Sequence, residues 1–133
     1  MTLLLDTHVW IWSQEAPEKL GRRTTRLLTD ERNALHVSTV SSLEIARLVN
    51  TGTIVLSGSL NSWVAETLDV LSCGTLEISH QIAIGAYSLP GVFHKDPADR
   101  LLVATARIYA LTLVTMDERI LGYPHVKSRD ARL

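Results

Sequence analysis

The sequence is short of cysteine, of excess charge of either sign and of long apolar runs, and each shortage excludes a class of protein. Cys73 is the single cysteine in 133 residues, which excludes an internal disulfide and a multi-cysteine metal site. The 13 basic and 14 acidic residues give a net charge of −1, so any nucleic-acid site must be a local patch. No apolar run approaches membrane-spanning length, and no cationic leader precedes the first one. We expect a complete, cytoplasmic protein that binds no membrane.

Apolar residues, by contrast, are plentiful. They make up 46% of the chain, and the mean hydropathy is +0.14. Both values are high for a monomer of this size, which predicts that a partner covers part of the apolar surface. We therefore expect an oligomer.

Short apolar runs alternate along the chain with longer segments of helical periodicity. Strands are predicted at residues 2–5, 35–38, 75–78 and 111–116, with an extended piece at 53–56 and an edge strand at 125–127. Helices are predicted at residues 17–30, 40–52, 60–72, 80–88 and 97–110, with shorter ones beginning near residue 8 and after residue 117; the last residues are expected to be mobile. This alternation predicts one domain over residues 1–133, a three-layer α/β/α sandwich around a mainly parallel sheet.

Two aspartates stand at the start of the helix predicted from residue 97. Asp96 before Pro97 is typical of an N-cap followed by proline at the first helical position, which places Asp99 at the third. Many ordinary helices begin with such a pair of acids, so capping alone would explain both. The apolar run 101–110 that follows, however, predicts a buried helix leading into a strand and then to Asp117.

Acids also follow the other predicted strands. Asp6 ends the first apolar run, and Asp117 comes just after the run 111–116. Because open parallel sheets bind ligands outside the carboxyl ends of their strands, both acids are expected in one crevice. Glu44 lies early in the helix after the second strand and borders its apolar stripe, so it has a partner in the crevice, pairs with Arg47 or is simply exposed.

The chemistry of such a crevice follows from its charge. Four converging carboxylates repel one another, and either protonation or a bound cation relieves the repulsion. Oxygen ligands, with no cysteine cluster and no histidine pair at zinc spacing, favour Mg²⁺ or Mn²⁺ over zinc. A metal-bound water becomes acidic enough to attack phosphorus, which predicts metal-dependent hydrolysis of a phosphodiester.

Four segments of the chain resemble those of PIN-domain ribonucleases and, within that family, the VapC-like toxins of bacterial toxin–antitoxin pairs. They are Leu3-Leu4-Leu5-Asp6-Thr7-His8, Ser42-Leu43-Glu44-Ile45-Ala46, the stretch His94–Ala106, and Leu113-Val114-Thr115-Met116-Asp117. An apolar strand ending in aspartate is common, so each segment alone is a weak signal. All four in the family's order, over nearly the whole chain, make a specific one.

The resemblance implies a set of site residues. The catalytic and metal-ligating acids would be Asp6, Glu44, Asp99 and Asp117. Thr7 and Thr115 would be polar helpers beside them, and Asp96 a cap or an outer supporting residue. His94 and Arg100 flank the acids and could contact phosphate, although a solvated histidine and a helix-surface arginine would look the same in the sequence.

The resemblance also implies an architecture and partners. It implies strand order 3-2-1-4-5, a bound Mg²⁺ or Mn²⁺, single-stranded or loop RNA as substrate, a homodimer and a small cognate antitoxin. Acidic groups around one small cation attract a positive side chain, and arginine binds carboxylates in bidentate fashion, so we expect the antitoxin to plug the groove with an arginine.

Two alternatives belong to other functional classes. A receiver-like signalling domain also binds Mg²⁺ at strand ends, but it would need an acidic pair after its first strand, where this chain has Asp6 alone, and a lysine where this chain has Asp117. A PIN fold used only for binding would gain little from four mutually repelling carboxylates.

Overall fold

A five-stranded parallel sheet organises the chain in the computed structural model, which describes residues 1–133. The strands are β1 Thr2–Leu5, β2 Ala34–Ser38, β3 Gly74–Leu76, β4 Thr112–Thr115 and β5 Ser128–Asp130. The helices are α1 Thr7–Glu15, α2 Arg22–Thr29, α3 Thr39–Asn50, α4 Leu60–Leu71, α5 His80–Gly85, α6 Pro97–Ile108 and α7 Glu118–Leu121. The spatial order β3-β2-β1-β4-β5 and the parallel pairing of every strand confirm the predicted fold.

The position of β1 at the centre of the sheet explains why its sequence is uniformly apolar. Leu3, Leu4 and Leu5 are all fully buried. Leu3 and Leu5 belong to one hydrophobic core and Leu4 to another, because successive side chains of a strand point to opposite faces. Three consecutive leucines therefore fit only a strand that is covered on both sides.

Each face of the sheet has its own helical layer. On one face Trp10 of α1 packs on Trp63 of α4, with ring centroids 5.3 Å apart, and its Nε1 donates to Thr67 Oγ1 at 2.9 Å. On the other face α6 contributes Leu102 and Val103, which are fully buried. These two cores make the three-layer sandwich.

The order of the strands places a crevice beside β1. From β1 the chain moves outward to β2 and β3, then crosses to the opposite side to form β4 and β5. Neighbouring strands β1 and β4 therefore flank the point at which the winding direction reverses, where open α/β sheets leave a crevice at the carboxyl edge. Helix α6 leads into the amino end of β4, so its own N-terminus lies at that carboxyl edge.

The predicted helix 17–30 is wrong at its start, and the prediction of mobile last residues is also wrong. A single 3₁₀ turn covers Pro17–Lys19, and α2 begins only at Arg22. A Cβ on Gly21 would stand 2.0 Å from the carbonyl carbon of Leu133, because the end of the chain packs against this turn. The backbone N–H and the hydroxyl of Thr24 each donate to the Leu133 carbonyl oxygen at 2.9 Å. The first turn of α2 has N–H groups without helical partners, and the chain end supplies an acceptor.

Smaller differences concern short segments. The extended piece predicted at residues 53–56 joins no sheet, and the edge strand predicted at 125–127 lies instead at Ser128–Asp130, beside β4. The helix predicted over 80–88 ends at Gly85. None of the helices combines the length and the apolar character needed to cross a membrane.

Candidate active site

The four predicted acids stand on four elements at the carboxyl edge of the sheet. Asp6 is the N-cap of α1 directly after β1, and Asp117 is the N-cap of α7 after β4. Asp99 lies in the first turn of α6, and Glu44 lies on α3. The four carboxylates face one another closely enough that the charges of the other three raise the pKa of Asp99.

Asp6 is held in one orientation by its neighbours. Its side chain is 9% exposed; Oδ1 accepts from the Thr7 backbone N–H at 2.7 Å, and Oδ2 accepts from the Thr115 hydroxyl at 2.5 Å. Burial raises the pKa of Asp6, while both hydrogen bonds act in the opposite direction. The hydrogen bonds thus fix the carboxylate in place, but no cationic side chain forms an ion pair with it.

Glu44 has its partner in the crevice. The Thr7 hydroxyl donates to Glu44 Oε1 at 2.5 Å and lies 2.9 Å from Ser41 Oγ. No ion pair joins Glu44 to Arg47, so the choice left open by the sequence is decided in favour of the crevice. Burial raises the pKa of Glu44, and the charge of Asp6 raises it further.

Asp99 experiences both burial and the repulsion of the other acids in the cluster. It is 8% exposed, and burial raises its pKa to about 7, with further contributions from Asp6, Asp96, Asp117 and Glu44. Without a cation, this carboxyl is therefore close to half protonated at neutral pH.

Asp117 differs from the other acids because it has a cationic partner. Burial acts to raise its pKa, but hydrogen bonds from Arg119 and the charge of that guanidinium outweigh the effect and leave the pKa of Asp117 lowered. The Asp117 backbone N–H also donates to Thr115 Oγ1 at 3.0 Å. Thr115 therefore contacts both strand-end acids, the side chain of Asp6 and the backbone of Asp117.

The His94 ring lies inside the acid cluster. Its Nδ1 accepts from the Asp96 backbone N–H at 3.4 Å, and its Nε2 lies 3.0 Å from Asp99 Oδ2. That short contact lacks hydrogen-bonding geometry, so Nε2 is a buried polar atom without a hydrogen-bond partner. Burial and the neighbouring Arg119 lower the pKa of His94, which favours a neutral ring with a lone pair available on one nitrogen.

These residues fit a divalent cation. One ligand atom from each of His94, Asp99 and Asp117 lies within 4.8 Å of the others. A cation there would relieve the repulsion that raises the pKa of Asp99. It would also give His94 Nε2 a partner once the ring proton moves to Nδ1, which then gives up the bond from the Asp96 backbone N–H. Oxygen ligands suit Mg²⁺, and the added imidazole also suits Mn²⁺.

The two remaining candidates serve the framework. Asp96 is exposed and caps α6, with Oδ1 accepting from the Ala98 backbone N–H at 2.9 Å. The Arg100 guanidinium donates to the carbonyl oxygens of Ala86 and Phe93 at 2.9 and 3.1 Å, so it ties the segment before α6 to that helix. These bonds account for Arg100 without a phosphate contact, and we retain no substrate role for it.

Three residues beside the acids were not predicted from the sequence as site residues. Ser41 precedes Glu44 by one helical turn, a spacing that the sequence does display. Arg119 follows Asp117 by two residues, within hydrogen-bonding reach of its carboxylate. His8 is exposed, and its charge lowers the pKa of both Asp6 and Glu44, which places it at the mouth of the crevice.

A separate groove lies away from the acids. It has a volume of about 740 Å³ and opens between the end of α1, α2 and the end of α4, lined by Leu20, Leu28, Leu35 and Leu71 among others. Because Leu35 is near the amino end of β2, this groove is at the opposite edge of the sheet from the acids. Its position gives it no part in the chemistry of the acid cluster.

Comparison with known proteins decides the family. The profile of the PIN domain family matches residues 3–126. The chain belongs to the PIN domain family. A curated member, ribonuclease VapC22 of Mycobacterium tuberculosis, is 33% identical over 124 residues, which is 93% of each chain.

Solved structures share the PIN fold. VapBC2 from Rickettsia felis, bound to a DNA fragment from its promoter, aligns with a TM-score of 0.67 at 17% identity and covers 97% of this chain and 98% of that one. A toxin–antitoxin complex from Klebsiella pneumoniae aligns with a TM-score of 0.63 at 22% identity, covering 97% of each chain. At these identities, the likeness concerns the architecture alone.

Proposed function

We propose that this PIN domain is a metal-dependent endoribonuclease and the toxin of a toxin–antitoxin pair. The observation that carries the proposal is the convergence of Asp6, Glu44, Asp99 and Asp117 from four separate elements beside the topological switch point. The name of the curated relative, a ribonuclease, supports the choice of RNA as substrate.

The acids would hold one or more Mg²⁺ or Mn²⁺ ions, with His94 as an additional ligand. When bound, such an ion supplies an acidic water for attack on phosphorus and offsets charge on the phosphoryl oxygens. The chain's own task is to keep the ligands aligned. Thr115 and Thr7 do this by fixing the carboxylates of Asp6 and Glu44 through their hydroxyls.

The proposed partners follow from the same family. A small antitoxin would insert an arginine among the acids, because two of them, Asp6 and Glu44, have only hydroxyl and amide partners within the chain. The similar structures VapBC2 from Rickettsia felis and the toxin–antitoxin complex from Klebsiella pneumoniae support such a pairing. A homodimer is supported by exposed apolar side chains on α3 and around α5, namely Leu43, Ile84 and Tyr87 at 69%, 70% and 69% exposure.

The alternatives have less support. A receiver-like domain would have the strand order 2-1-3-4-5, whereas the order here is 3-2-1-4-5. A PIN fold used only for binding leaves the raised pKa of Asp99 and the orphaned Nε2 of His94 without a purpose.

Metal removal tests the proposal. RNA cleavage by the purified protein should disappear in excess EDTA and return with Mg²⁺ or Mn²⁺, because no other group in the crevice can activate a water to the same degree. An Asp99→Asn sample prepared in parallel reports any contaminating nuclease. Cleavage that persists at the full rate in EDTA, and that is absent from the Asp99→Asn sample, would disprove the proposal.

A further inference from the structure

Arg119 is a cation of the chain's own that lies between two of the acids. Its Nε donates to Asp117 Oδ1 at 3.3 Å and its Nη2 to Asp117 Oδ2 at 3.1 Å. The same Nη2 lies 3.7 Å from Asp99 Oδ2. The side chain is 59% exposed and makes no other hydrogen bond, so these two carboxylates alone hold the guanidinium in place.

The tripeptide that contains Arg119 occurs twice in the chain. A comparison of the two copies shows which contacts of the arginine are local and which depend on the tertiary structure. Asp30-Glu31-Arg32 repeats the sequence Asp117-Glu118-Arg119. Arg32 donates to Asp30 through its backbone N–H, Nε and Nη2 at 3.0, 3.1 and 2.9 Å, and the corresponding bonds in the other copy are 2.9, 3.3 and 3.1 Å. The bidentate pair is therefore a property of the tripeptide, whereas the approach to Asp99 is a property of the fold.

That approach puts the guanidinium where a metal would bind. Both side-chain oxygens of Asp117 accept from Arg119, and Asp99, whose Oδ2 lies 3.7 Å from the guanidinium, is one of the three prospective metal ligands together with His94 and Asp117. A divalent ion that takes these oxygens must compete with the guanidinium and also experiences its positive charge. An exposed ion pair contributes little free energy, so the exchange is easy.

We propose that Arg119 is a built-in counter-ion, which holds Asp117 and Asp99 when no metal is bound, yields to the metal, and then binds RNA phosphate with its freed guanidinium. This inference rests on the proposed function. The planar fork of a guanidinium matches phosphate as well as carboxylate, and the exposed position of Arg119 lets it turn outward without disturbing the core. The residue therefore opposes metal binding and favours substrate binding.

The experiment measures whether Arg119 has opposite effects on the affinity for metal and on the affinity for RNA. Mn²⁺ alone is titrated calorimetrically into the wild-type chain, Arg119→Ala and the matched control Arg32→Ala, and KM for RNA cleavage is then measured at saturating Mn²⁺. Arg119→Ala should bind Mn²⁺ about two- to fivefold more tightly, the range expected for loss of an exposed pair. Its KM should rise about three- to tenfold, because one charged phosphate contact is lost. Arg32→Ala should match the wild type in both.

A direct view of the side chain completes the test. The Nε–H resonances of Arg119 and Arg32 can be followed by NMR in one sample as Mg²⁺ is added, and only that of Arg119 should shift. If Arg119→Ala does not fold, Arg119→Gln, which keeps the stem and loses the charge, takes its place. Unchanged or weaker Mn²⁺ binding by the variant would overturn the inference and leave the nuclease proposal intact. Absence of Mn²⁺ binding by the wild-type chain would overturn both.

Discussion

The acid cluster has two halves that differ in how their charge is managed. The hydroxyl half consists of Asp6 and Glu44 with the side chains of Thr7, Ser41 and Thr115. The nitrogen half consists of Asp99 and Asp117 with the side chains of His94 and Arg119. The first half contains no cation, and the second contains a full positive charge and a neutral ring.

This difference shows that holding a carboxylate in one orientation and neutralising its charge are two separate tasks, which different side chains perform. The hydroxyls of Thr115 on β4 and Thr7 on α1 fix the carboxylates of the hydroxyl half but leave their charge in place, so burial raises the pKa of both acids. In the nitrogen half, Arg119 lowers the pKa of Asp117, while Asp99, 3.7 Å from the guanidinium, keeps a raised pKa. The hydroxyl half is therefore a permanent part of the framework, and the nitrogen half is the part that a metal would rearrange.

The largest expected effect comes from removing a charge in the nitrogen half. Asp99→Asn should lower the rate of RNA cleavage by about three orders of magnitude, because the amide keeps the shape but loses the ligand charge that a metal needs. Its metal-free stability should be maintained, since an uncharged group replaces a buried carboxyl whose pKa is already raised. Steady-state cleavage and thermal denaturation measure the two effects.

Asp96 is the matched control for Asp99, three residues away in the same segment. Asp96→Asn should keep most of the activity and cost only a few tenths of a kcal/mol in free energy of unfolding, because asparagine caps a helix about as well as aspartate. An inactive Asp96→Asn beside an active Asp99→Asn would reverse the assignment of the two residues.

In the hydroxyl half the expected effect is on stability as well as activity. Thr115→Val should lower the free energy of unfolding by about 1–3 kcal/mol, because the buried Oδ2 of Asp6 and the backbone N–H of Asp117 both lose their partner. Chemical denaturation measures this loss, and Thr115→Ser, which keeps the hydroxyl, should recover most of it.

Thr105 provides the control for a buried threonine in general. It is fully buried like Thr115, but its hydroxyl donates to the Leu101 carbonyl oxygen within α6 and supports no acid. Thr105→Val should therefore be close to neutral. Equal destabilisation by the two valine variants would show that the hydroxyl half is no more than ordinary core packing.

The sequence was sufficient to predict that the acids gather at one edge of the sheet with Thr7 and Thr115 beside them, but not which atoms contact one another. Asp6 and Asp117 were predictable because an apolar strand followed by an acid marks the carboxyl edge of a parallel sheet; the alternation of strands and helices predicted the fold class, and the resemblance to the family implied the strand order. The contact between Thr115 and Asp6 joins residues 109 positions apart, so only the register of β1 beside β4 creates it.

The contacts of Arg119 were likewise only partly predictable from the sequence. Its pairing with Asp117 follows from the tripeptide, as Arg32 demonstrates, but its approach to Asp99 requires α6 and α7 to meet at the crevice. The packing of the chain end against Gly21 was hidden for a similar reason, since Gly21 lies inside the segment 17–30, whose pattern predicts one continuous helix.

Apart from the control variants, the smallest expected effect is on the pH dependence of stability, and it sharpens the comparison because it isolates the nitrogen half. The folded, metal-free chain holds a proton on Asp99 up to a pKa of about 7, whereas the unfolded chain releases it near 3.8. The folded state thus binds more protons between these values, and stability should fall as the pH rises through 7. Lowering the pH from 8 to 6 in EDTA should raise the melting temperature by a few degrees, which corresponds to about 1.4 kcal/mol for one such group.

The Asp99→Asn variant and added metal distinguish the pH dependence caused by Asp99 from that caused by other titrating groups. The variant has no carboxyl at this position, so its melting temperature should lose that rise, and the lowered pKa of His94 should then make it fall slightly at pH 6. Saturating Mg²⁺ should invert the wild-type trend, because the ion binds the deprotonated carboxyl and is released as the pH falls. Identical pH profiles for the wild type and Asp99→Asn in EDTA would show that Asp99 does not bear the repulsion of the other acids, and the nitrogen half would then need no metal to relieve it.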